Sequence, residues 1–340
     1  MRIALLPGDG IGPEVIASAE AVLRSLVPAV ETAAYPIGFG AFESHGTPLP
    51  EETLTAVREA DATLLGAVTT PVNIPNYRSP ILELRQRLEL FANLRPVCSM
   101  GLAGTRAGVD IMLVRENSEG LYSGREHLSP DGELAIAERV VSRTASERIV
   151  RYACEIAKQR SGRVTAVHKA NVLRETCGLF LRSAQHVAGD DPDIQLDDML
   201  VDACAMRLLR EPEAFDVIVT TNLFGDILSD EACELVGGLG VAASANIGAD
   251  CAVFEPVHGS APDIAGTGKA NPFATLGALE MLLNHVGLGE AAQRLNEALA
   301  WSLDHGAVTL DLGGTMSTQE VTQALLQRLE ETERRGTRTA

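Results

Sequence analysis

The sequence predicts an α/β fold with substantially parallel strand pairing, on three observations. Short β-branched or apolar runs alternate with helical periods, a glycine-rich turn follows the first run, and the length leaves room for two subdomains. A chain of 340 residues can bury roughly 75% of its surface, so a large core is available. Arg2–Leu6 reads as a strand and Pro13–Leu26 as the helix after it, with Val15, Ala19, Val22 and Leu26 on one face and Pro13 suited to a first turn. Between them Gly8, Gly10 and Gly12 place a loop where ligands collect in such folds. The dinucleotide fingerprint G-x-G-x-x-G would need a glycine at Pro13, which disfavours an ordinary Rossmann domain. Thr63–Val68 then Ser79–Phe91, Val164–His168 then Asn171–Ser183, and Asp216–Thr220 then Asn222–Val236 repeat the strand-then-helix pattern. Gly101–Gly104 and Gly237–Gly240 are candidate boundaries near one third and two thirds of the chain. Ser129–Gly132 is a turn between extended runs and predicts an arm or hairpin, and the charged tail Glu330–Ala340 is expected to fray.

Composition narrows the function classes. The chain is 46% hydrophobic and 22% charged, and no apolar stretch approaches the ~20 residues a bilayer requires, which argues against a membrane span and wholesale disorder. Lys+Arg 28 against Asp+Glu 46 gives a net charge of −18, a field that repels nucleic-acid backbones and anionic lipid. An anionic substrate would therefore need locally clustered cations. Cys98, Cys154, Cys177, Cys204, Cys233 and Cys251 are widely spaced without a CxxC pair and read as free thiols. No basic leader precedes the first strand, so the expected compartment is a reducing cytoplasm.

Five segments carry candidate chemistry. Ser79–Pro96 reads as a helix with Ser79 at its N-cap and Pro80 in its first turn. Ile81, Arg85 and Leu88 share a face, so Arg85 is either a ligand-binding cation or a snorkelling side chain covering its own helix. Arg115 follows Val109–Val114 and Lys169 follows Val164–His168, each at a strand's carboxyl end; two such cations suggest a pocket for an acid, or interdomain salt bridges. Phe215–Asp230 reads as a buried strand and a helix bearing Asp226 and Asp230 four residues apart. Like charges at that spacing repel by a few tenths of a kcal/mol, relieved by the helix N-terminus or by a bound cation. Oxygen-only ligands suit Mg2+ or Mn2+ rather than zinc; a solvated acidic helix start is the alternative. Glu255–Pro272 is a long turn-rich loop in which His258, Asp263 and Asn271 can bond an adenosine moiety, although turn geometry explains its Gly and Pro equally well. An acid near a ribose favours NAD over NADP.

Together these segments resemble the β-decarboxylating dehydrogenases: isocitrate, 3-isopropylmalate, homoisocitrate, tartrate and D-malate dehydrogenases. The marks run end to end: Leu6–Val15, Leu84-Arg85 with Asn93–Pro96, Val114–Tyr122, His168–Asn171, Val201-Asp202, Asn222–Asp230 and Glu255–Gly266. The resemblance implies a two-domain isocitrate/isopropylmalate dehydrogenase-like fold, not a Rossmann domain. Residues 1–98 and 242–340 would form a discontinuous cofactor-binding domain, and 99–241 the substrate, metal and dimer-interface domain. By the same resemblance Arg85, Arg95 and Arg115 would grip substrate carboxylates. Asp226 and Asp230, joined by Asp202 of the partner subunit, would hold Mg2+ or Mn2+. Lys169, also contributed across the contact, would be the general base and Tyr122 the proton donor to carbon. Ser79 and Asn171 would complete the substrate site. Asn171 would also lie near the nicotinamide of NAD, with His258, Gly259, Ser260, Ala261, Asp263 and Asn271 around the rest of the cofactor. Shared sites imply at least a homodimer.

Within the family, Tyr77–Leu82 is most similar to homoisocitrate dehydrogenases, leaving Arg78 and Ser79 available to a distal carboxylate. Ile81 and Leu82 also fit the apolar pair of isopropylmalate enzymes, while Ile81 stands where isocitrate enzymes place an asparagine. The expected order is homoisocitrate (giving 2-oxoadipate and CO2, in lysine biosynthesis), then 3-isopropylmalate (leucine biosynthesis), then isocitrate. A noncatalytic regulatory subunit of the same fold is the alternative from another class. Such chains commonly lose part of the metal or base set, and here every one of those positions is filled.

Overall fold

Strands buried along their whole length, such as Ala62–Ala67 and Val217–Thr220, need cover on both faces, and helices supply it. The computed structural model describes residues 1–71, 73–74 and 77–339. In chain order β1 (Arg2–Gly8), α1 (Gly12–Leu26), β2 (Glu31–Ala34), α2 (Phe39–His45), α3 (Glu51–Glu59), β3 (Ala62–Ala67), α4 (Pro80–Arg87) and β4 (Ala92–Cys98) come first. Next are β5 (Asp110–Glu116), β6 (Glu126–Leu128), β7 (Ala135–Ala137), α5 (Arg143–Lys158), β8 (Arg163–His168), α6 (Thr176–Gly189), β9 (Gln195–Leu200), α7 (Val201–Arg210), β10 (Val217–Thr220) and α8 (Asn222–Glu234). The last part holds β11 (Ala243–Ile247), β12 (Ala252–Pro256), α9 (Phe273–His285), α10 (Gly289–Asp304) and α11 (Thr318–Thr339).

Ten strands make one sheet in the order β2-β1-β3-β12-β11-β4-β5-β10-β8-β9. The α/β expectation holds, but the pairing is more mixed than the strand-then-helix pattern suggests. Two parallel blocks flank a central stretch in which β12–β11, β11–β4 and β4–β5 are antiparallel. The short connection between β11 and β12 permits only an antiparallel return. The expected hairpin is present as β6 paired with β7, exposed on every residue.

Three local expectations are corrected. The helix beginning after Ser79 stops at Arg87 instead of running to Phe91 or beyond, and Arg95 lies on a strand. Leu88 and Leu90 turn in to join Leu84 in an apolar cluster, Glu89 takes a left-handed backbone (φ 50°), and the chain then pairs as β4. Ser79 does occupy the N-cap position, yet its hydroxyl makes no capping bond. The helix expected over Asn171–Ser183 is α6, Thr176–Gly189, because the buried face of Cys177, Phe180, Ala184 and Val187 starts later while Val172 and Leu173 stay exposed. The tail does not fray at Glu330: α11 continues to Thr339, seated by buried Val321, Leu325 and Leu329 and extended by the Glu330–Arg334 pair one turn apart.

The glycines of the first loop serve a close backbone approach. Gly10 has φ +58°, and a Cβ there would lie 1.9 Å from the Ser260 carbonyl. The Ile11 amide donates to that carbonyl at 2.9 Å, docking the first loop against the segment after β12. All six cysteines are free, as expected, with Cys154, Cys177, Cys204 and Cys233 buried. Among the described residues no helix is long and apolar enough to cross a membrane.

Candidate active site

Alternation along β4 and β5 sends Arg95 and Arg115 to one face of the sheet, where α8 covers them. The passage of Arg115 depends on Gly225: a Cβ there would lie 2.7 Å from Arg115 Cγ. Arg115 donates to Asp226, and its second nitrogen to Asn222 Oδ1 at 2.8 Å. Arg95 donates to Ser229 Oγ and Asp230 Oδ1, each at 2.6 Å, and reaches Asp226 Oδ1 at 3.3 Å. Tyr122, carried by a 3-10 turn at Leu121–Ser123, donates its hydroxyl to Asp226 Oδ2 at 2.5 Å while Arg115 lies over its ring. The Asp226/Asp230 repulsion is therefore relieved by two guanidiniums, a route the sequence reading did not include.

The electrostatics follow from burial. Arg115, 1% exposed, is drawn down to about 10 by desolvation; Asp226 opposes this, and repulsion from Arg95 and Arg85 adds to it. Three neighbouring cations that repel one another, two of them bordering a cavity, favour an anion. For Asp226 burial is the largest influence and pushes upward, but Arg115, the Tyr122 hydroxyl, Arg95 and Arg85 together hold its carboxyl below the usual range. Burial first, then Asp226, raises Tyr122, keeping the phenol protonated.

Arg85 is neither a free cation nor a snorkelling one. It is buried on α4, donating Nε to Asn246 Oδ1 at 3.0 Å and a terminal nitrogen to Glu255 at 3.2 Å. A cavity of about 230 Å³ is lined by Ser79, Ile81, Arg85, Arg95, His258 and Gly259, among others, so expected substrate and cofactor residues meet there. Lys169 and Asp202 are placed differently. Lys169 follows β8, Asp202 opens α7, and the two pair with each other. No hydrogen bond joins either to Asp226, Asp230 or the arginines among the described residues. Asn171 lies exposed in the turn after Lys169.

In the loop after β12, His258 holds Nδ1 against the Gly259 carbonyl at 3.0 Å, while its buried Nε2 has no partner. Burial lowers the basicity of this imidazole, so Nδ1 is the donor and Nε2 a free acceptor. Ser260 is buried, bonded to Thr69 at 2.7 Å; Ala261 adopts φ +37°; Asp263 is exposed. Asn271 is committed internally, donating to Asp311 at 2.8 Å and accepting from the Phe273 amide at 2.9 Å. The sequence reading gave no role to Asn93, Asn222, Ser229 or Asn246. A lone asparagine inside the small-residue strand Ala243–Ile247 was the available signal, since a buried amide there must be satisfied.

An α/β fold that clusters arginines, helix-borne carboxylates and a protonated phenol beside a cavity has the groups of an enzyme that handles small acids. The chain belongs to the isocitrate/isopropylmalate dehydrogenase family, whose model matches residues 2–325. It is 49% identical over 330 residues to an isocitrate/homoisocitrate dehydrogenase of Thermus thermophilus (96% of this chain, 98% of the relative). It is 47% identical over 333 residues to a 3-isopropylmalate dehydrogenase of Methanothermobacter thermautotrophicus (97% and 99%). The crystal structure of isocitrate dehydrogenase from Methylococcus capsulatus superposes with a TM-score of 0.92 at 46% identity, covering 96% of this chain and 99% of that one. Family members are β-decarboxylating dehydrogenases that use NAD(P) and a divalent metal, and this chain is an oxidoreductase of that class.

Proposed function

We propose that this enzyme oxidatively decarboxylates homoisocitrate to 2-oxoadipate and CO2, using NAD and Mg2+ or Mn2+. The observation that carries the reading is that Arg95 and Arg115 both donate to Asp226, with Arg85 joined to Arg95 through the Asn246 and Asn93 amides. Forked guanidinium edges match carboxylate pairs, so a substrate with several carboxylates can take over edges that Asp226 and Asp230 now accept. Asp226 and Asp230, with Asp202 of the partner subunit, would hold the cation, and an all-oxygen set fits a hard divalent ion. When bound, that ion supplies Lewis-acid stabilisation of developing negative charge, and NAD accepts the hydride. Lys169 of the partner subunit takes the hydroxyl proton, and Tyr122 returns a proton to the carbon that loses CO2. Ser79, at the cavity wall, offers a hydroxyl to the distal carboxylate, and Asn171 would face the nicotinamide. The orphaned His258 Nε2 fits a cofactor as acceptor for an amino group of the adenine, with Gly259, Ser260, Ala261, Asp263 and Asn271 around it.

The relative named isocitrate/homoisocitrate dehydrogenase supports this choice, whereas Ile81 on the same cavity wall favours 3-isopropylmalate as the second reading. Isocitrate ranks third. Steady-state kinetics with Mn2+, NAD and each acid test the order, and homoisocitrate is expected to give the highest kcat/KM. A hundredfold advantage for 3-isopropylmalate would overturn the ranking, and no turnover of any acid would point to the noncatalytic regulatory subunit.

The assembly we propose is at least a homodimer. Exposed Leu128, Leu134 and Ile136 on the hairpin, Val172 and Leu173 beyond β8, and Ile227 on α8 supply apolar surface for it. The division into 1–98 with 242–340 and 99–241 is supported by the sheet: β5, β10, β8 and β9 come from the middle segment and the other six strands from the flanks. Free thiols support a reducing cytoplasm.

A further inference from the structure

We propose that Asn246 is the positioning residue that fixes Arg85 and Arg95 relative to each other, a claim that rests on reading both arginines as carboxylate grips. Asn246 lies on β11 and is 1% exposed. Its Oδ1 accepts from Arg85 Nε at 3.0 Å, Asn93 Nδ2 at 3.1 Å and Asn117 Nδ2 at 3.0 Å. Its Nδ2 donates to Glu255 Oε1 at 2.7 Å and reaches the Val253 carbonyl at 3.4 Å. Asn93, fully buried, passes the constraint on, its Oδ1 accepting from Arg95 Nε at 2.8 Å.

Both guanidiniums are thus tethered by the inner Nε, so their orientation is set before a ligand arrives, while terminal nitrogens that now donate to Glu255 from Arg85 and to Ser229, Asp230 and Asp226 from Arg95 are the edges a ligand's carboxylates would take over. Strand register explains the reach. Asn246 stands opposite Asn93 on β11–β4, and Asn93 opposite Arg115 on β4–β5, so the three form one cross-strand row under α8. The amide has the composition this site requires. A leucine would leave Arg85 Nε without a partner and take one bond each from the Asn93 and Asn117 amides, and an aspartate would set a second carboxylate against Glu255. Arg85, Arg95 and Glu255 all border the 230 Å³ cavity, so a shift at the amide moves its walls.

A misplacement of about 1 Å in a gripping group costs on the order of a hundredfold in efficiency. The test measures KM for the acid turned over best among homoisocitrate, 3-isopropylmalate and isocitrate, and KM for NAD, in Asn246→Ala, Arg85→Gln and the double variant. Asn246→Ser, which keeps an oxygen, replaces Asn246→Ala if the latter does not fold. The expected result is a tenfold or greater rise in acid KM for each single variant, unchanged NAD KM, and a double variant that falls short of the product of the two single effects, because the Arg85 route is shared while the Asn93–Arg95 route is lost only with Asn246. An Asn246 variant with unchanged acid KM beside a raised one in Arg85→Gln overturns the proposal alone. Equal rises in both KM values, or multiplicative effects in the double variant, also overturn it, because they indicate general loss of packing. Unchanged acid KM in Arg85→Gln removes the grip reading and the positioning claim with it.

Discussion

Asp226→Asn removes one charge from the centre of the cluster and keeps the side chain's shape. Arg115 is 1% exposed and Asp226 29%, so the substitution leaves a buried guanidinium facing a neutral amide. Breaking a fully buried pair costs about 3–5 kcal/mol. Water reaching Asp226 screens part of that, and relief of the repulsion with Asp230 returns a few tenths of a kcal/mol. The net loss we expect is about 2–3 kcal/mol. Unfolding entropy grows with length, so for this chain it corresponds to a Tm lower by roughly 3–4 °C. Thermal denaturation in EDTA reads that loss, and titration with Mn2+ reads the second consequence: the wild-type enzyme gains Tm with added metal and Asp226→Asn does not. A variant that melts with the wild type in EDTA, or gains as much Tm from Mn2+, would refute the reasoning.

Lys169→Met should leave the melting temperature essentially unchanged, since Lys169 and Asp202 are partly exposed, while lowering kcat by about 10²–10⁴-fold; a variant retaining most of its turnover would exclude Lys169 as the base. Because the folded structure holds Asp226 below its unfolded value of about 3.9, its stabilisation is fully present above that pH and lost as pH falls through the lower folded value. Urea midpoints between pH 5 and 2 should therefore fall more steeply for the wild type than for Asp226→Asn, and parallel curves would contradict the assignment. Gly225→Ala would place a Cβ 2.7 Å from Arg115 Cγ and 2.8 Å from its Cβ, costing about 1–3 kcal/mol and raising the acid KM. A wild-type KM in that variant would show that α8 yields without moving Arg115.

Much of this architecture is legible in the residues because periodicity and punctuation agree. Pro13 and the face of Val15, Ala19, Val22 and Leu26 fix α1, and Ser129–Gly132 fixes the hairpin turn. Where two patterns overlap, local reading fails. Ser79–Pro96 carries a helical period up to Leu88 and a strand from Ala92, and only pairing with β11 and β5, distant in sequence, decides in favour of the strand. The charged groups of the site were visible singly, since Arg115 and Asp226 each sit at telling positions. Their mutual contact was not, because it joins β5 to α8 across more than a hundred residues. Asn246 was hidden for a related reason: an amide's importance lies in its partners, and those come from α4, β4 and the segment after β5.

The place of β12 in the sheet bears on how the polypeptide is made. β3 is paired on one side by β1 as soon as both have emerged, but its other side is covered only by β12. From Ala67 to Ala252 is 185 residues, about 10–40 seconds of translation. During that interval a strand that the finished fold buries along its whole length presents an open hydrogen-bonding edge to every neighbouring nascent chain. Chaperone capture and aggregation on the ribosome should therefore concentrate at Ala62–Ala67, and slowing synthesis of the final third should worsen both.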